Sequence, residues 1–123
     1  MLRRANSLPP ARERQEFGRF RFAEWTYDAA RRELVRGDGL TVPLSAAEGA
    51  LLVAFLRHPG VVLDRERLLD LARGRDLKPF DRSIDNLVSR LRRKLGDDPR
   101  RSRFVRTERG GGYTFVAPVE RLA

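Results

Sequence analysis

The stretch DRSIDNLVSRLRRKLG, from Asp81 to Gly96, decides the fold, because it is the longest segment with a clear helical period. Its apolar residues recur at intervals of three and four, which places them within one arc of an α-helix. They are Ile84, Leu87, Val88, Leu91 and Leu95. Asp81 can cap this helix at its N-terminus and Gly96 can end it, so the sequence predicts a long helix with one face in a core.

The other side of this helix is polar and basic. It carries Arg82, Asn86, Ser89, Arg90 and Arg93. An α-helix fits the major groove of B-DNA, where arginine pairs with guanine and asparagine with adenine. Arg90 and Asn86 are therefore the candidates for base contacts. The alternative is that these side chains only solvate an ordinary helix, but the basic segment and the hairpin that follow favour DNA.

Residues near the start of the helix admit two interpretations each. Arg82 and Ser83 could hold a phosphate in the first turn, or Ser83 could only assist the cap. Asp85 could accept a hydrogen bond from cytosine or pair with Arg92, which lies seven residues on and on the same side of the helix. We favour the ion pair.

A β-hairpin is predicted after the helix. Residues 104–107 and 113–117 are β-prone, and three consecutive glycines lie between them. Arg109 stands immediately before these glycines, where it can enter a minor groove. The alternative is a turn that needs glycine and carries an arginine for solubility. Tyr113 and Phe115 are expected to close the core.

Two shorter helices are predicted upstream. Ser45 and Glu48 have the spacing of a capping box, which would start a helix that ends near Arg57. Asp64 can cap a second, amphipathic helix that ends near Gly74.

A small antiparallel sheet is predicted before the helices, from short apolar pieces at 17–22, 33–35 and 40–44. Pro43 cannot donate to a ladder, so it marks an edge strand or a strand end. The fold class is therefore α+β: an N-terminal antiparallel β-sheet, three helices and a C-terminal β-hairpin wing. This order is the pattern of a winged helix-turn-helix.

The residue counts exclude several classes of protein. The 123 residues, 41% of them hydrophobic, suit one domain at 17–118, with a linker at 1–16 and a tail at 119–123. Cysteine is absent and histidine occurs once, which excludes disulfides, thiolate chemistry and the usual zinc ligand sets. His58 is expected at a helix C-terminus, where it complements the dipole. Neither a catalytic residue, a metal site nor a cofactor is predicted.

The charge points to a polyanionic partner. The net charge is +9, and the segment 82–109 alone carries +6 of it. Of the 26 basic residues 24 are arginine, which grips phosphates and guanine edges bidentately. A GC-rich genome could explain the number of arginines but not their clustering. No apolar run approaches the roughly 20 residues of a membrane span, so we expect a soluble intracellular protein with no membrane contact.

Four segments carry a resemblance to a known family. They are LTVPLSAAEGALLVAFLRHPG, LDRERLLDLARG, DRSIDNLVSRLRRKLGDDP and FVRTERGGGYTFV. From Phe17 to Pro118 the chain resembles the winged-helix effector domain of OmpR/PhoB-type response regulators, and LARGRD and RSIDNLVSRLRRKL are similar to the OmpR branch. The resemblance implies a fourth strand near Glu24 to Tyr27, paired with Arg31 to Arg36. It also implies that the third helix reads the major groove and that the wing contacts the adjacent minor groove.

Carried over by position, the resemblance implies four groups of contact residues. The base contacts would be Asn86, Leu87, Arg90 and Arg93. The DNA backbone contacts would be Arg82, Ser83, Ser89 and Arg92, although intramolecular pairing is also common at the position of Arg92. The wing contacts would be Thr107, Arg109 and Gly111. The loop 73–80 would contact RNA polymerase or a neighbouring protomer through Arg73, Arg75, Asp76 and Lys78.

The implied partners are double-stranded DNA with tandem-repeat promoter sites, RNA polymerase, and a histidine kinase that phosphorylates a receiver domain. No receiver domain fits before Phe17, and Leu2 to Ala5 looks like the end of a receiver's last helix. We therefore expect either an excised effector domain or a free-standing regulator, bacterial and cytoplasmic.

Other functions compete with DNA binding. A winged-helix module that docks on RNA polymerase or a partner domain through the loop 73–80 is the main alternative. An enzyme lacks a recognisable site. RNA binding is disfavoured because the basic segment lacks stacking aromatic residues.

Overall fold

The computed structural model describes residues 18–72 and 83–122. The predicted linker at 1–16, the cap Asp81, Arg82 and the helix end near Gly74 lie outside these residues. So do the four partner-loop residues Arg73, Arg75, Asp76 and Lys78.

An antiparallel sheet begins the described chain. Its first four strands are β1 (Arg19–Phe22), β2 (Trp25–Asp28), β3 (Glu33–Arg36) and β4 (Thr41–Pro43). Each strand pairs with the next, and Trp25 lies opposite Arg36 in the β2–β3 ladder. The strand implied near Glu24 to Tyr27 is thus confirmed as β2. Pro43 lies in the edge strand β4, as predicted.

The predicted C-terminal tail contains a further strand. Glu120–Arg121 forms a further strand, β7, which pairs antiparallel with β1 at the other edge of the sheet. The Arg121 guanidinium carbon also lies 5.6 Å from the centre of the Phe20 ring. A two-residue polar strand has no detectable period, and it forms because the edge of β1 offers unpaired backbone groups.

Three helices follow in the described residues: α1 (Ala46–Leu56), α2 (Arg65–Ala72) and α3 (Ile84–Leu95). The capping box at α1 is confirmed, since the Ser45 amide donates to Glu48 Oε1 at 2.9 Å and the Glu48 amide donates to Ser45 Oγ at 3.1 Å. Asp64 caps α2 by accepting the Arg67 amide at 2.7 Å. Its predicted capping role is therefore also confirmed.

The cap of α3 differs from the prediction. Ser83, not Asp81, is the N-cap, and its hydroxyl accepts the Asn86 amide at 3.4 Å. Ser83 therefore caps the helix, and its contact with a phosphate stays a prediction. Gly96 ends the helix in the left-handed conformation with φ 72°, as its position in the sequence predicts.

The predicted hairpin consists of β5 (Val105–Thr107) and β6 (Tyr113–Phe115). Phe22 of β1 packs edge-on against Phe104 and Phe115, with ring centres 5.5 and 5.3 Å away. Phe55 of α1 stacks on Phe115, with ring centres 6.2 Å apart. Sheet, helices and hairpin therefore share one aromatic core, and the predicted α+β winged-helix architecture is confirmed.

The described residues contain neither a membrane-spanning helix nor a cluster of metal-binding side chains. No helix there has the length and apolar character needed to cross a bilayer. No group of three or more histidine, cysteine or acidic residues in that part of the chain could hold a metal ion.

Candidate nucleic-acid interface

The two faces of α3 separate as the sequence period predicts. Its apolar stripe is no more than 3% exposed at any position. The exposed residues of the helix and its N-cap are Ser83, Asp85, Asn86, Ser89, Arg90 and Arg93. Burial of the stripe holds this polar face towards solvent, where it is open to a ligand.

Three of the predicted base-contacting residues have side chains with no partner in the part of the chain that the structure describes. Arg90 and Arg93 make no ion pair within the described residues, and the Asn86 carboxamide makes no hydrogen bond there. Within the described residues, the outer face of α3 therefore presents two unpaired guanidinium groups and one unpaired amide. These groups are suited to hydrogen bonding with base edges or phosphates.

The fourth predicted base contact, Leu87, is wrong. Its side chain is 1% exposed and belongs to the core cluster. Leu87 was also part of the predicted apolar stripe, and both roles cannot hold for one side chain. Burial of a leucine contributes about 2 kcal/mol to folding, which fixes the inward orientation.

The predicted pairing of Asp85 with Arg92 is also wrong. Asp85 Oδ1 instead accepts a hydrogen bond from Arg65 Nε of α2 at 3.0 Å, and the Tyr113 hydroxyl of β6 donates to the same oxygen. The hydrogen bonds from Tyr113 and Arg65 lower the pKa of Asp85, so the carboxylate stays ionised. Asp85 therefore connects three elements of the fold.

Arg92 points to the hairpin. Its guanidinium donates to the carbonyl oxygen of Val105 at 2.9 and 3.1 Å and to Thr107 Oγ1 at 2.7 Å. It also lies 5.6 Å from the centre of the Tyr113 ring. Of the two roles that the resemblance left open for Arg92, the structure shows the intramolecular one. Thr107, expected at the wing interface, is its partner.

Much of the basic segment after α3 is neutralised internally. Arg103 forms a two-bond pair with Glu24 at 2.7 and 3.1 Å, and Arg106 pairs with Glu108 at 2.8 Å. Hydrogen bonds from Thr114 and Arg106 lower the pKa of Glu108, so this carboxylate remains charged beside the wing. In this segment, the guanidinium groups of Arg101 and Arg109 have no partner among the described residues.

Asp97 is an important residue that sequence reasoning missed. It is 6% exposed and accepts the backbone amides of Arg103, Phe104 and Val105 at 2.6, 3.3 and 2.9 Å. These bonds fix the turn that leads from α3 into β5. An aspartate directly after a helix-ending glycine is the signal that the sequence offers for this role.

The wing projects Arg109 into solvent at its tip. Gly110 and Gly111, the next two residues, both have φ 97°, which L-amino acids with side chains rarely adopt. A Cβ atom on Gly111 would lie 2.6 Å from Arg65 Nη1. The wing therefore packs against α2 as well as α3.

His58 does not support the predicted dipole role. It follows the C-cap of α1, and its burial and the positive charges of Arg57 and Arg67 lower its pKa. At pH 7 the imidazole is therefore neutral and carries no positive charge to interact with the helix dipole.

The chain is similar to known proteins over most of its length. The family described as "Transcriptional regulatory protein, C terminal" matches residues 39–115. The regulatory protein VirG of Agrobacterium fabrum is 45% identical over 119 residues, which is 97% of this chain and 46% of VirG. The chain thus spans about half the length of this curated relative.

Two solved structures share the fold. The RstA DNA-binding domain of Klebsiella pneumoniae, in complex with the RstA box, is 36% identical with a TM-score of 0.67, and the match covers 80% of this chain and 96% of that one. The DNA-binding domain of Escherichia coli CadC is 26% identical with a TM-score of 0.72, over 85% of this chain and 97% of that one.

Proposed function

This chain belongs to the family of C-terminal domains of transcriptional regulatory proteins, the effector domains of OmpR/PhoB-type response regulators, and from that membership we propose that it binds double-stranded DNA at specific sequences to regulate transcription. The observation that carries the proposal is the exposed face of α3. Asn86, Arg90 and Arg93 have no internal partner in the described chain, although many neighbouring charged groups do.

The proposed contacts divide between two grooves. Asn86, Arg90 and Arg93 would meet base edges in the major groove. Ser83, Ser89 and Arg82 would meet the phosphates alongside. Arg109 would enter the adjacent minor groove, where Gly111 allows close approach of the wing backbone. Arg92 and Thr107 support these contacts by holding the hairpin to α3.

Selection of bound duplexes from a random pool tests the proposal. Arg90→Ala should abolish preference for the selected site, whereas Arg109→Ala should weaken binding with less effect on sequence choice. Arg31→Ala is a matched control, because it removes the same charge from an exposed turn of the sheet. If both test variants bind the selected site as the parent does, the assignment of the contact residues is wrong.

Salt dependence provides an independent test. Binding through about six phosphates predicts a log–log slope of affinity against salt near −5. A flat response, or the failure of any duplex to be selected, would refute DNA binding and favour a protein-docking module. The spacing of the selected sites would also test the proposed tandem arrangement.

The partners of a whole regulator form a finer part of the proposal. We propose that the loop 73–80 contacts RNA polymerase through Arg73, Arg75, Asp76 and Lys78. We further propose that a histidine kinase controls the regulator through a receiver domain. Loss of transcription activation on Lys78→Ala, with DNA affinity unchanged, would support the polymerase contact; unchanged activation would refute it.

A further inference from the structure

Three residues link α2, α3 and the wing: Arg65, Asp85 and Tyr113, here called the Arg65 bridge. We infer that the Arg65 bridge sets the position of the wing relative to α3. Arg65 is thereby a positioning residue for DNA binding, although it belongs to neither α3 nor the wing. The effect on DNA binding rests on the proposed function, whereas the position of the wing relative to α3 does not.

The bridge is built on a single oxygen atom. Asp85 Oδ1 accepts from Arg65 Nε at 3.0 Å and from the Tyr113 hydroxyl. Asp85 lies in the first turn of α3, and Tyr113 is the first residue of β6. Because one atom receives both donors, neither the hairpin nor α2 can rotate against α3 without breaking a hydrogen bond.

Arg65 also touches the tip of the wing. Its Nη1 lies where a Cβ on Gly111 would be only 2.6 Å away, so the guanidinium rests against the hairpin backbone. The same guanidinium therefore binds α3 through Nε and contacts the wing through Nη1. Its side chain is 51% exposed, so the guanidinium makes both contacts at a partly solvated surface.

The base of the wing is held separately. Leu63, in the connection between α1 and α2, exchanges two backbone hydrogen bonds with Tyr113, at 2.8 and 2.9 Å. A Cβ on the adjacent Gly112 would lie 3.1 Å from the Leu63 carbonyl oxygen. These contacts fix one end of the turn and Arg92 holds β5 to α3, so the side-chain bridge is left to hold the tip of the wing at Gly111.

The hairpin needs this external support. Strands β5 and β6 pair over only three residues each, and an isolated two-stranded hairpin of that length is marginal in water. Arg109 stands two positions before Gly111 in the same turn. In the proposed complex, α3 fixes the position of the domain on the DNA. Displacement of the tip would therefore move Arg109 away from the adjacent minor groove.

The test compares the parent with Arg65→Ala, Arg65→Lys and the matched control Arg67→Ala. Arg67 is exposed on the same helix, so its removal deletes the same charge without touching the bridge. Residual dipolar couplings of the free protein would give the orientation of residues 105–115 relative to α3. We expect Arg65→Ala to reorient the hairpin, Arg65→Lys to restore part of the parent orientation, and Arg67→Ala to leave it unchanged.

Binding to a selected duplex tests the functional consequence. Arg65→Ala should weaken affinity about tenfold and lose hydroxyl-radical protection of the minor groove, while the base preference set by α3 remains. Arg67→Ala should change affinity less than about threefold. The double variant Arg65→Ala/Asp85→Asn should stay weak. If it binds like the parent, Arg65 only neutralises a carboxylate near DNA and the positioning role is refuted.

The free-protein result decides the inference independently of DNA. A hairpin orientation in Arg65→Ala identical to that of the parent would overturn it. If Arg65→Ala does not fold, Tyr113→Phe gives the decision, because it keeps the ring and removes only the hydroxyl donor. That variant must also reorient the hairpin, and an unchanged orientation would refute the bridge. A parent that binds no duplex would refute the proposed function while the dipolar couplings still test the geometry.

Discussion

Replacement of Asp97 by alanine should cost more stability than any other single substitution in the turn after α3. Three backbone amides donate to this buried carboxylate, at 2.6, 2.9 and 3.3 Å. Two of the donors belong to Phe104 and Val105, which are 1% and 0% exposed. Without Asp97 these amides lose their acceptor and water cannot easily replace it.

The magnitude follows from the bond lengths and the burial. A hydrogen bond to a charged group contributes about 1.5 to 3 kcal/mol, and an unsatisfied buried donor costs about 1 to 3 kcal/mol. The bond of 3.3 Å is weak, and the Arg103 amide can bind water after the substitution. We therefore expect Asp97→Ala to lower the free energy of unfolding by about 3 to 5 kcal/mol.

Urea denaturation measures this loss, with a lower midpoint and an unchanged m-value as the expected result. Asp98→Ala is the control, because Asp98 is exposed and accepts the Arg100 amide at 2.9 Å in the same turn. Its loss should cost less than about 1 kcal/mol. Asp97→Asn should fall between the two, because its amide offers one acceptor oxygen instead of two. Equal losses for Asp97→Ala and Asp98→Ala would refute the reasoning.

Three further substitutions test the packing of the domain. Gly111→Ala should destabilise by more than Gly110→Ala in urea denaturation, because both have φ 97° but only the former places its Cβ against the guanidinium at the start of α2; equal losses would contradict that contact. Gly49→Ala should destabilise by about 1 to 3 kcal/mol despite the better helix propensity of alanine, since its Cβ would lie 2.5 Å from the buried Tyr27 hydroxyl; a more stable variant would show that the ring yields. Burial opposes ionisation of Glu48, but hydrogen bonds from the lysine of α3 and from the helix cap lower its pKa below the ordinary 4.5. The Glu48 carboxylate therefore stabilises the fold above that pH, and this stabilisation is lost as the pH falls through the folded pKa. Glu48→Gln should consequently flatten the decline in unfolding free energy between about pH 5 and 3. An unchanged decline would refute the stabilising role of the Glu48 carboxylate.

Features that depend on near neighbours in the chain could be predicted from the sequence. The Ser45 capping box, the apolar stripe of α3 and the glycine that ends α3 each involve residues within a few positions of one another. The sequence therefore contains all the information that these features need. The three helices and the hairpin follow from such local signals.

Features that depend on distant partners could not be predicted in the same way. Arg92 lies on the polar side of α3 and looks like a DNA-contacting residue, yet β5 supplies its acceptors. Asp85 has a cation seven positions away, but the residue that reaches it comes from α2. Helical spacing cannot show which side chain of another element lies closer. The number of charged residues on a helix therefore overstates how many charged side chains are available to a ligand.

The exposed face of α3 was predicted more closely than the contacts that hold α3 and the hairpin in place. Asn86, Arg90 and Arg93 lie on the exposed face where the helical period places them. Leu87 was misassigned because transfer by position ignores which way a side chain points. The buried acceptor Asp97 was missed because backbone amides leave no trace in a residue pattern.

The pairing of β7 with β1 has a consequence for the order in which the domain assembles. Position 20 lies opposite position 121, so the first strand of the described chain meets one of its last. Closing a loop of that length is entropically costly and slow compared with forming the local helices. During synthesis on a ribosome, the edge of β1 must therefore stay open until nearly the whole domain has emerged. Nascent chains halted before β7 should show an exposed strand edge that is open to association with other chains.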